Sequence, residues 1–440
     1  MYALTFLLLS TSAAAVSQLA NQPLLPFQAD AHSCGAACYA FYNQSAPAEG
    51  ALFGTQFDYD FYETAKNFTG SKPGDLLKLE PINPKTLASE PGTAVYRMQY
   101  TSKDLDGSPV PVTGFIAFPF NLPKNQSKFR LMAWAHGTSG IFPGCVPSNG
   151  PSLYGGLYPA VAYGYAVVGT DYAGLGNNYT THKYLSYPAH ATDVYYSTIA
   201  ARKAFGNVLS KEWVSFGHSQ GGAAVWSLAE SKYVQDKKEA YLGTVALAPA
   251  TRVVDMMLKN STYKFNGITG FIPESLHRYD PSYNDTILTD DMEQRVQLQK
   301  QVGACVSAAS VMVADLSNDE IVSPEKVKKQ LHLYEKWQNA VSPAMGAKSS
   351  APIWVAQGLN DSAVIPYTTE NAWKKSCDSG NEVHLQFYPG MEHVPLVAAS
   401  TPDWMVWVGE LFDKASDKSG KSECSKEVKK PFDIHNVQLG

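Results

Sequence analysis

GHSQG at Gly217 to Gly221 is a G-x-S-x-G pentapeptide, the pattern that stands a serine hydroxyl on a sharp corner between a strand and a helix. The chemistry such a serine could do is nucleophilic attack. Small flanking residues suit the corner because the backbone packs tightly there. With 33 glycines in 440 residues the pentapeptide alone is weak, and its setting carries the reading. EWVSF before it reads as a strand, and SQGGAAVWSLAESKYV after it reads as a helix whose positive end faces Ser219. The rival reading is a serine in an ordinary strand-helix turn.

A serine hydroxyl is a poor nucleophile until a base takes its proton, and that base must be held by a third group. In the chain order serine, acid, histidine, the acid follows a later strand and the base lies near the C-terminus. Asp361 fits, since IWVAQG reads as a strand and LND opens the loop after it. Its bland alternative is a loop-capping aspartate. His393, in PGMEHVP, sits just past the strand-like EVHLQF. Only His393 and His435 follow Asp361 in a loop, because His384 falls inside the strand pattern; a buried, satisfied histidine is the alternative. HGTSG, His136 to Gly140, follows the apolar run FRLMAWA, where a backbone N–H must help hold the oxyanion of a tetrahedral intermediate. Thr138 is the expected donor, with Ser139 its rival and a plain glycine turn the alternative, and the N–H of Gln220 is the expected second donor. His182, His190 and Asp193 lie near one another along the chain without metal-ligand spacing, and phosphate-cradling glycine patterns are absent. No metal or cofactor is called for.

These groups need a scaffold that brings remote residues together. TAVYRMQYTSKD and VPVTGFIAFP alternate around an Asp106-Gly107 turn signal, which predicts two antiparallel strands. FRLMAWA, YAVVGTDY, EWVSFG and YLGTVALAPA then alternate with helical stretches, above all PAHATDVYYSTIAARKAFG with Gly206 as its stop. That rhythm implies a mostly parallel sheet flanked by helices, an α/β fold. From Thr251 to about Ser350 only helices are expected, for example DDMEQRVQLQKQV and PEKVKKQLHLYEKWQNA, before APIWVAQG and EVHLQFYPG resume the strands and TPDWMVWVGELFDKAS closes with a helix. The expected organisation is a signal peptide (1–17), a wrapping arm with one short helix near Asp60 to Lys66 (18–90), a first core segment (91–250), an inserted helical cap (251–350), a second core segment (351–416) and a solvated tail (417–440).

Composition narrows the class. At 45% hydrophobic and 17% charged residues the chain can bury a large core, and its net charge of −5 argues against a nucleic-acid partner. The apolar run from Ala3 to about Val16 is too short to span a membrane, and Ala13 to Ala15 offer a cleavage site, so it reads as a secretory signal despite lacking a leading positive charge. No later run reaches spanning length. The six cysteines, Cys34, Cys38, Cys145, Cys305, Cys377 and Cys424, form an even set suited to an exported protein, with their pairing open. Asn43, Asn67, Asn125, Asn178, Asn260 and Asn284 begin N-x-S/T triplets and are candidate glycan acceptors. Asn360 fits the same triplet but adjoins Asp361 and is expected to stay unmodified.

Taken together, HGTSG (136–140), GYAVVGTDYAGLG ending at Gly176, GHSQGG (217–222), GLND (358–361) and GMEHVP (390–395) resemble the fungal secretory lipase family, Candida lipase A type, of the α/β-hydrolase superfamily. The resemblance spans roughly residues 70 to 415. It implies a triad of Ser219, Asp361 and His393, a cap that shapes an acyl pocket, and disulfides Cys145–Cys305 and Cys377–Cys424, which leaves Cys34 with Cys38. It also implies a second reading, since relatives in this broad group deacetylate fungal metabolites such as trichothecenes. The expected function is therefore a secreted serine ester hydrolase, lipase or esterase, acting on a small-molecule or lipid ester. The rivals are the metabolite deacetylase, a serine peptidase and a non-catalytic binding protein on the same fold.

Overall fold

The computed structural model describes residues 19–89, 91–414 and 423–439, so the expected signal peptide lies outside the described residues. Ten strands form a single sheet among the described residues: β1 (Leu76–Pro81), β2 (Ala94–Lys103), β3 (Pro109–Phe118), β4 (Phe129–Ala135), β5 (Ala166–Thr170), β6 (Leu209–His218), β7 (Tyr241–Leu247), β8 (Ile353–Gly358), β9 (Val383–Tyr388) and β10 (Ser425–Val428). Their spatial order is β1-β2-β3-β5-β4-β6-β7-β8-β9-β10. β1, β2, β3 and β5 pair antiparallel in succession, and every pairing from β5 through β4 to β10 is parallel. This is the mostly parallel α/β sheet that the strand–helix rhythm predicts, and the α/β-hydrolase arrangement that the motif resemblance implies. The hairpin between β2 and β3 turns at the Asp106-Gly107 signal, with Gly107 at φ 85°.

Alternation sorts the parallel strands into two buried faces, because successive side chains point to opposite sides. Leu131 and Ala133 of β4 share one core with Trp213, Trp226 and the helix Tyr187–Phe205, while Met132 and Trp134 share the other with Phe216, Trp354 and Trp404. The helix Gln220–Glu230 packs on the first face and Pro395–Asp413 on the second.

Between β7 and β8 the chain runs through the helices Val253–Met257, Phe271–Tyr279, Asp290–Val302, Val306–Val311, Asn318–Ile321 and Pro324–Val341. Their ends follow local rules. Thr289 and Ser323 accept from the N–H groups of Met292 and Lys326 as N-caps, and Gly303 stops Asp290–Val302 in the left-handed conformation at φ 63°. One antiparallel bridge, Leu288 with Val322, interrupts the expected all-helical pattern.

Three differences from the sequence reading stand out. The sheet begins at Leu76, inside the expected arm, so three strands rather than two open it. The arm holds the helices Pro26–Ala31 and Ala36–Leu52 besides Tyr59–Tyr62, which Asp58 caps near the expected Asp60 to Lys66. The expected tail supplies β10, paired in parallel with β9. Three disulfides join Cys34 to Cys38, Cys145 to Cys305 and Cys377 to Cys424. The second ties the loop after β4 to the insertion, and the third anchors β10 to the helix Pro366–Asp378.

Candidate active site

The loops after β4, β6, β8 and β9 open at the same end of neighbouring parallel strands. β5 lies on one side of β4 and β6 on the other, so the chain leaves these strands in opposite directions and a crevice opens between them.

Ser219 stands at that crevice with φ 58° and ψ −118°, a conformation an L-residue adopts only under constraint. Its N–H donates to Leu247 O at 2.9 Å, and its carbonyl accepts from Ala223 and Ala250, each at 3.1 Å. The flanking glycines are dictated by contact. A Cβ on Gly221 would lie 1.9 Å from Ala135 O, and one on Gly217 would lie 2.4 Å from Gly221 O. Strand β4, strand β6 and the following helix therefore cross here with no room for a methyl group.

The Asp361 carboxylate is buried and receives four hydrogen bonds. Its Oδ1 accepts from the N–H groups of Ala363 and Val364 at 2.9 and 2.8 Å, and its Oδ2 accepts from Gln357 Nε2 at 3.1 Å and His393 Nδ1 at 2.8 Å. Gln357, the next-to-last residue of β8, is itself fixed by Thr369, which donates to its Oε1 at 2.7 Å. With Nδ1 donating to Asp361, the Nε2 of His393 is left as an acceptor, and His393 and Ser219 line one cavity. Among the described residues, no hydrogen bond occupies the Ser219 hydroxyl. His435, the other loop histidine, is exposed on the C-terminal segment, away from this cavity.

The cavity has a volume of about 570 Å³. Val253, Met256, Met257, Ile268, Ile272 and Val306 of the insertion make its apolar wall. Thr138 lines it, while Ser139 is buried behind with its carbonyl accepting from Val306 N–H at 2.9 Å. Neither the N–H of Thr138 nor that of Gln220 donates to another group among the described residues. Tyr154 and Tyr184 fix Thr138, the first donating to its carbonyl at 2.7 Å and the second hydrogen-bonded to its hydroxyl at 3.0 Å. His136 is buried, and desolvation lowers its pKa to about 4, so it is a neutral packing group.

Sequence reasoning missed two supports. His218 donates Nε2–H to the carbonyl of His393 at 3.0 Å, and their rings meet with centroids 4.5 Å apart. Burial, followed by the neighbouring His393, lowers the His218 pKa to about 3. Gln357 is a buried polar residue inside an apolar strand, the signal that could have singled it out.

Of the six expected glycan acceptors, Asn67, Asn125, Asn178 and Asn284 are exposed, whereas Asn43 and Asn260 are half-buried. Asn43 donates to Tyr39 O within its helix, and Asn260 accepts from Thr262. No helix among the described residues is long and apolar enough to cross a membrane.

The fold matches that of Candida antarctica lipase A with a TM-score of 0.66 at 14% identity, over 83% of this chain and 88% of that one. It matches the rice cell wall degrading esterase LipA from Xanthomonas oryzae with a TM-score of 0.63 at 18% identity, over 78% of this chain and 100% of that one. A putative hydrolase from Legionella pneumophila gives a TM-score of 0.62 at 17% identity, over 78% of this chain and 99% of that one. At these identities the likeness shows the fold. No curated protein sequence matches the chain. A model of the secretory lipase family matches residues 155–420, more than half of the sequence and the part holding Ser219, Asp361 and His393. The chain therefore belongs to the secretory lipase family and is a carboxylic-ester hydrolase.

Proposed function

We propose that the protein is a secreted serine esterase that cleaves esters of aliphatic acids through an acyl-enzyme. Ser219 attacks the ester carbonyl as His393 Nε2 takes its proton, and Asp361 holds the imidazole through Nδ1. The N–H groups of Thr138 and Gln220 receive the developing oxyanion. His393 then gives its proton to the leaving alcohol, and a water deprotonated by His393 releases the acid. The observation that carries this reading is the 2.8 Å bond from His393 to a four-fold bonded, buried Asp361, on the wall of the cavity that Ser219 also lines.

The aliphatic insertion wall favours an acyl chain longer than acetyl, since each buried CH₂ contributes about 0.8 kcal/mol. Export is supported by the secretory family, the three disulfides and the N-terminal signal pattern. Exposed Asn67, Asn125, Asn178 and Asn284 are then the acceptors best placed for glycans.

The test is hydrolysis of p-nitrophenyl esters from acetate to decanoate, with fluorophosphonate labelling. We expect labelling confined to Ser219, loss of both signals in Ser219→Ala, and kcat/KM rising from acetate to at least hexanoate. Activity surviving Ser219→Ala overturns the site. A preference for acetate would instead favour an acetyl ester of a bulky alcohol.

A further inference from the structure

We infer that His182 is a positioning residue that holds the oxyanion side of the site by gripping the Gln220 side chain, and that the loop Ala173–Ser186 braces both proposed oxyanion donors at once. This deepens the proposed ester-hydrolase reading and rests on it.

The link begins with a fixed tautomer. His182 Nδ1 lies 3.1 Å from Ala173 O, an atom that can only accept, so Nδ1 carries the proton. Nε2 is then the acceptor, and it receives Gln220 Nε2–H at 3.2 Å. The ring cannot turn freely to break this. It stacks on His190 with centroids 5.1 Å apart and planes 6° apart, and on Tyr172 at 5.8 Å. Burial, with His190 and Arg278 nearby, keeps His182 neutral well below the usual histidine range, which preserves its acceptor lone pair.

Gln220 is costly as a mere packing residue. It is 1% exposed, and its Oε1 has no hydrogen-bond partner among the described residues. An apolar side chain of the same length would avoid that buried, unpaired carbonyl. What glutamine adds is the bond to His182. Gln220 is also the first residue of its helix, so its backbone N–H is free of the helical ladder and its direction depends on what anchors this turn.

The same loop reaches the other donor, since Tyr184 hydrogen-bonds Thr138 Oγ1 at 3.0 Å. Its backbone is tied outward as well. Arg278, on an inserted helix, donates to His182 O at 2.6 Å while its Nε donates to Glu274 at 3.0 Å. A loop held on both sides is suited to keep two N–H groups aimed at one point before substrate arrives.

The test compares wild type with His182→Phe, which keeps a stacking ring but loses both nitrogens, and with Gln220→Met, which removes the handle from the other end. For p-nitrophenyl butyrate we expect kcat to fall about 10- to 100-fold in each, with KM within about twofold, the range by which small misplacements of catalytic groups slow enzymes. The double variant should be no slower than the worse single one, because both break one link. Unchanged kcat in Gln220→Met, or losses that multiply in the double variant, would overturn the inference. If His182→Phe does not fold, Gln220→Met decides alone. Fluorophosphonate labelling of wild-type Ser219 separates the two readings: labelled wild type with unaffected variants defeats only this inference, whereas unlabelled wild type defeats the ester-hydrolase site beneath it.

Discussion

Single residues in this molecule are chosen by what their neighbours leave open. Gly221 is glycine because Ala135 O occupies the place of its Cβ, and Gln357 is polar within an apolar strand because Asp361 needs a fourth donor. The residues beside Ser219 each reach outward, Gln220 to His182 and His218 to the carbonyl of His393. His218→Phe keeps a ring against His393 and removes that second bond. Fluorophosphonate labelling of the variant should slow by about tenfold, since a base held less firmly spends less time aligned with the hydroxyl. Its thermal midpoint should stay within a few degrees of wild type. Wild-type labelling kinetics in the folded variant would show that the loop after β9 is held by its other contacts alone. That Ser219, Asp361 and His393 sit in loops at the ends of strands was readable in the sequence, because each follows a strand pattern into a glycine-marked loop. His182 and His218 were not, because their partners lie 38 and 175 residues away along the chain.

Elements show where sequence patterns stop being informative. The helix Ala36–Leu52 carries Pro47 inside it and has no first-turn acidic residue, so neither its interior nor its start looks helical. Tertiary contact forms it. Buried Glu49 accepts from the N–H groups of Ser307 and Ala308 at 2.5 and 2.8 Å and from Asn21 at 3.0 Å. It thereby caps the helix Val306–Val311, whose Val306, Ser307 and Ser310 line the cavity, next to the Cys145–Cys305 bridge. β10 was illegible for the opposite reason: all four of its residues are exposed, and only pairing with β9 makes it a strand. Glu49→Gln exchanges one accepting oxygen for an NH₂ facing a donor. The expected cost is roughly 1–3 kcal/mol, seen as a fall of about 1–3 °C in thermal midpoint for a chain of this length. KM for a long-chain ester should rise more than KM for acetate, because the displaced helix walls the acyl space. Equal changes for both esters would show that this helix does not set that wall.

At the scale of the whole molecule, two sets of buried ionisable groups pull stability in opposite directions with pH. Burial raises Asp171 to about 6 and Asp193 and Glu230 to about 7. Unfolded, such carboxyls ionise near 4, so between these values the folded chain holds protons that the unfolded chain has lost. Their contribution is full below the unfolded pKa and is lost as pH rises through the folded one. Burial lowers His136 to about 4 and His190 and His218 to about 3, from 6.5 when unfolded. Their contribution is full above 6.5 and is lost as pH falls through the folded values. The opposed slopes should leave stability nearly flat across mildly acidic pH. Asp193→Asn exposes one side of this balance. Asp193 Oδ1 accepts from the Ser102 hydroxyl at 2.6 Å and its Oδ2 accepts from Ala173 N–H at 2.9 Å. Asparagine keeps an oxygen to accept from Ala173, and its NH₂ can donate to the serine oxygen once that hydroxyl turns, but it cannot ionise. Relative to wild type, the variant's thermal midpoint should therefore improve between about pH 5 and about pH 8, measured by scanning calorimetry in matched buffers. A difference from wild type that is the same at both pH values would mean that Asp193 is already ionised throughout this range, paired by the donors around it.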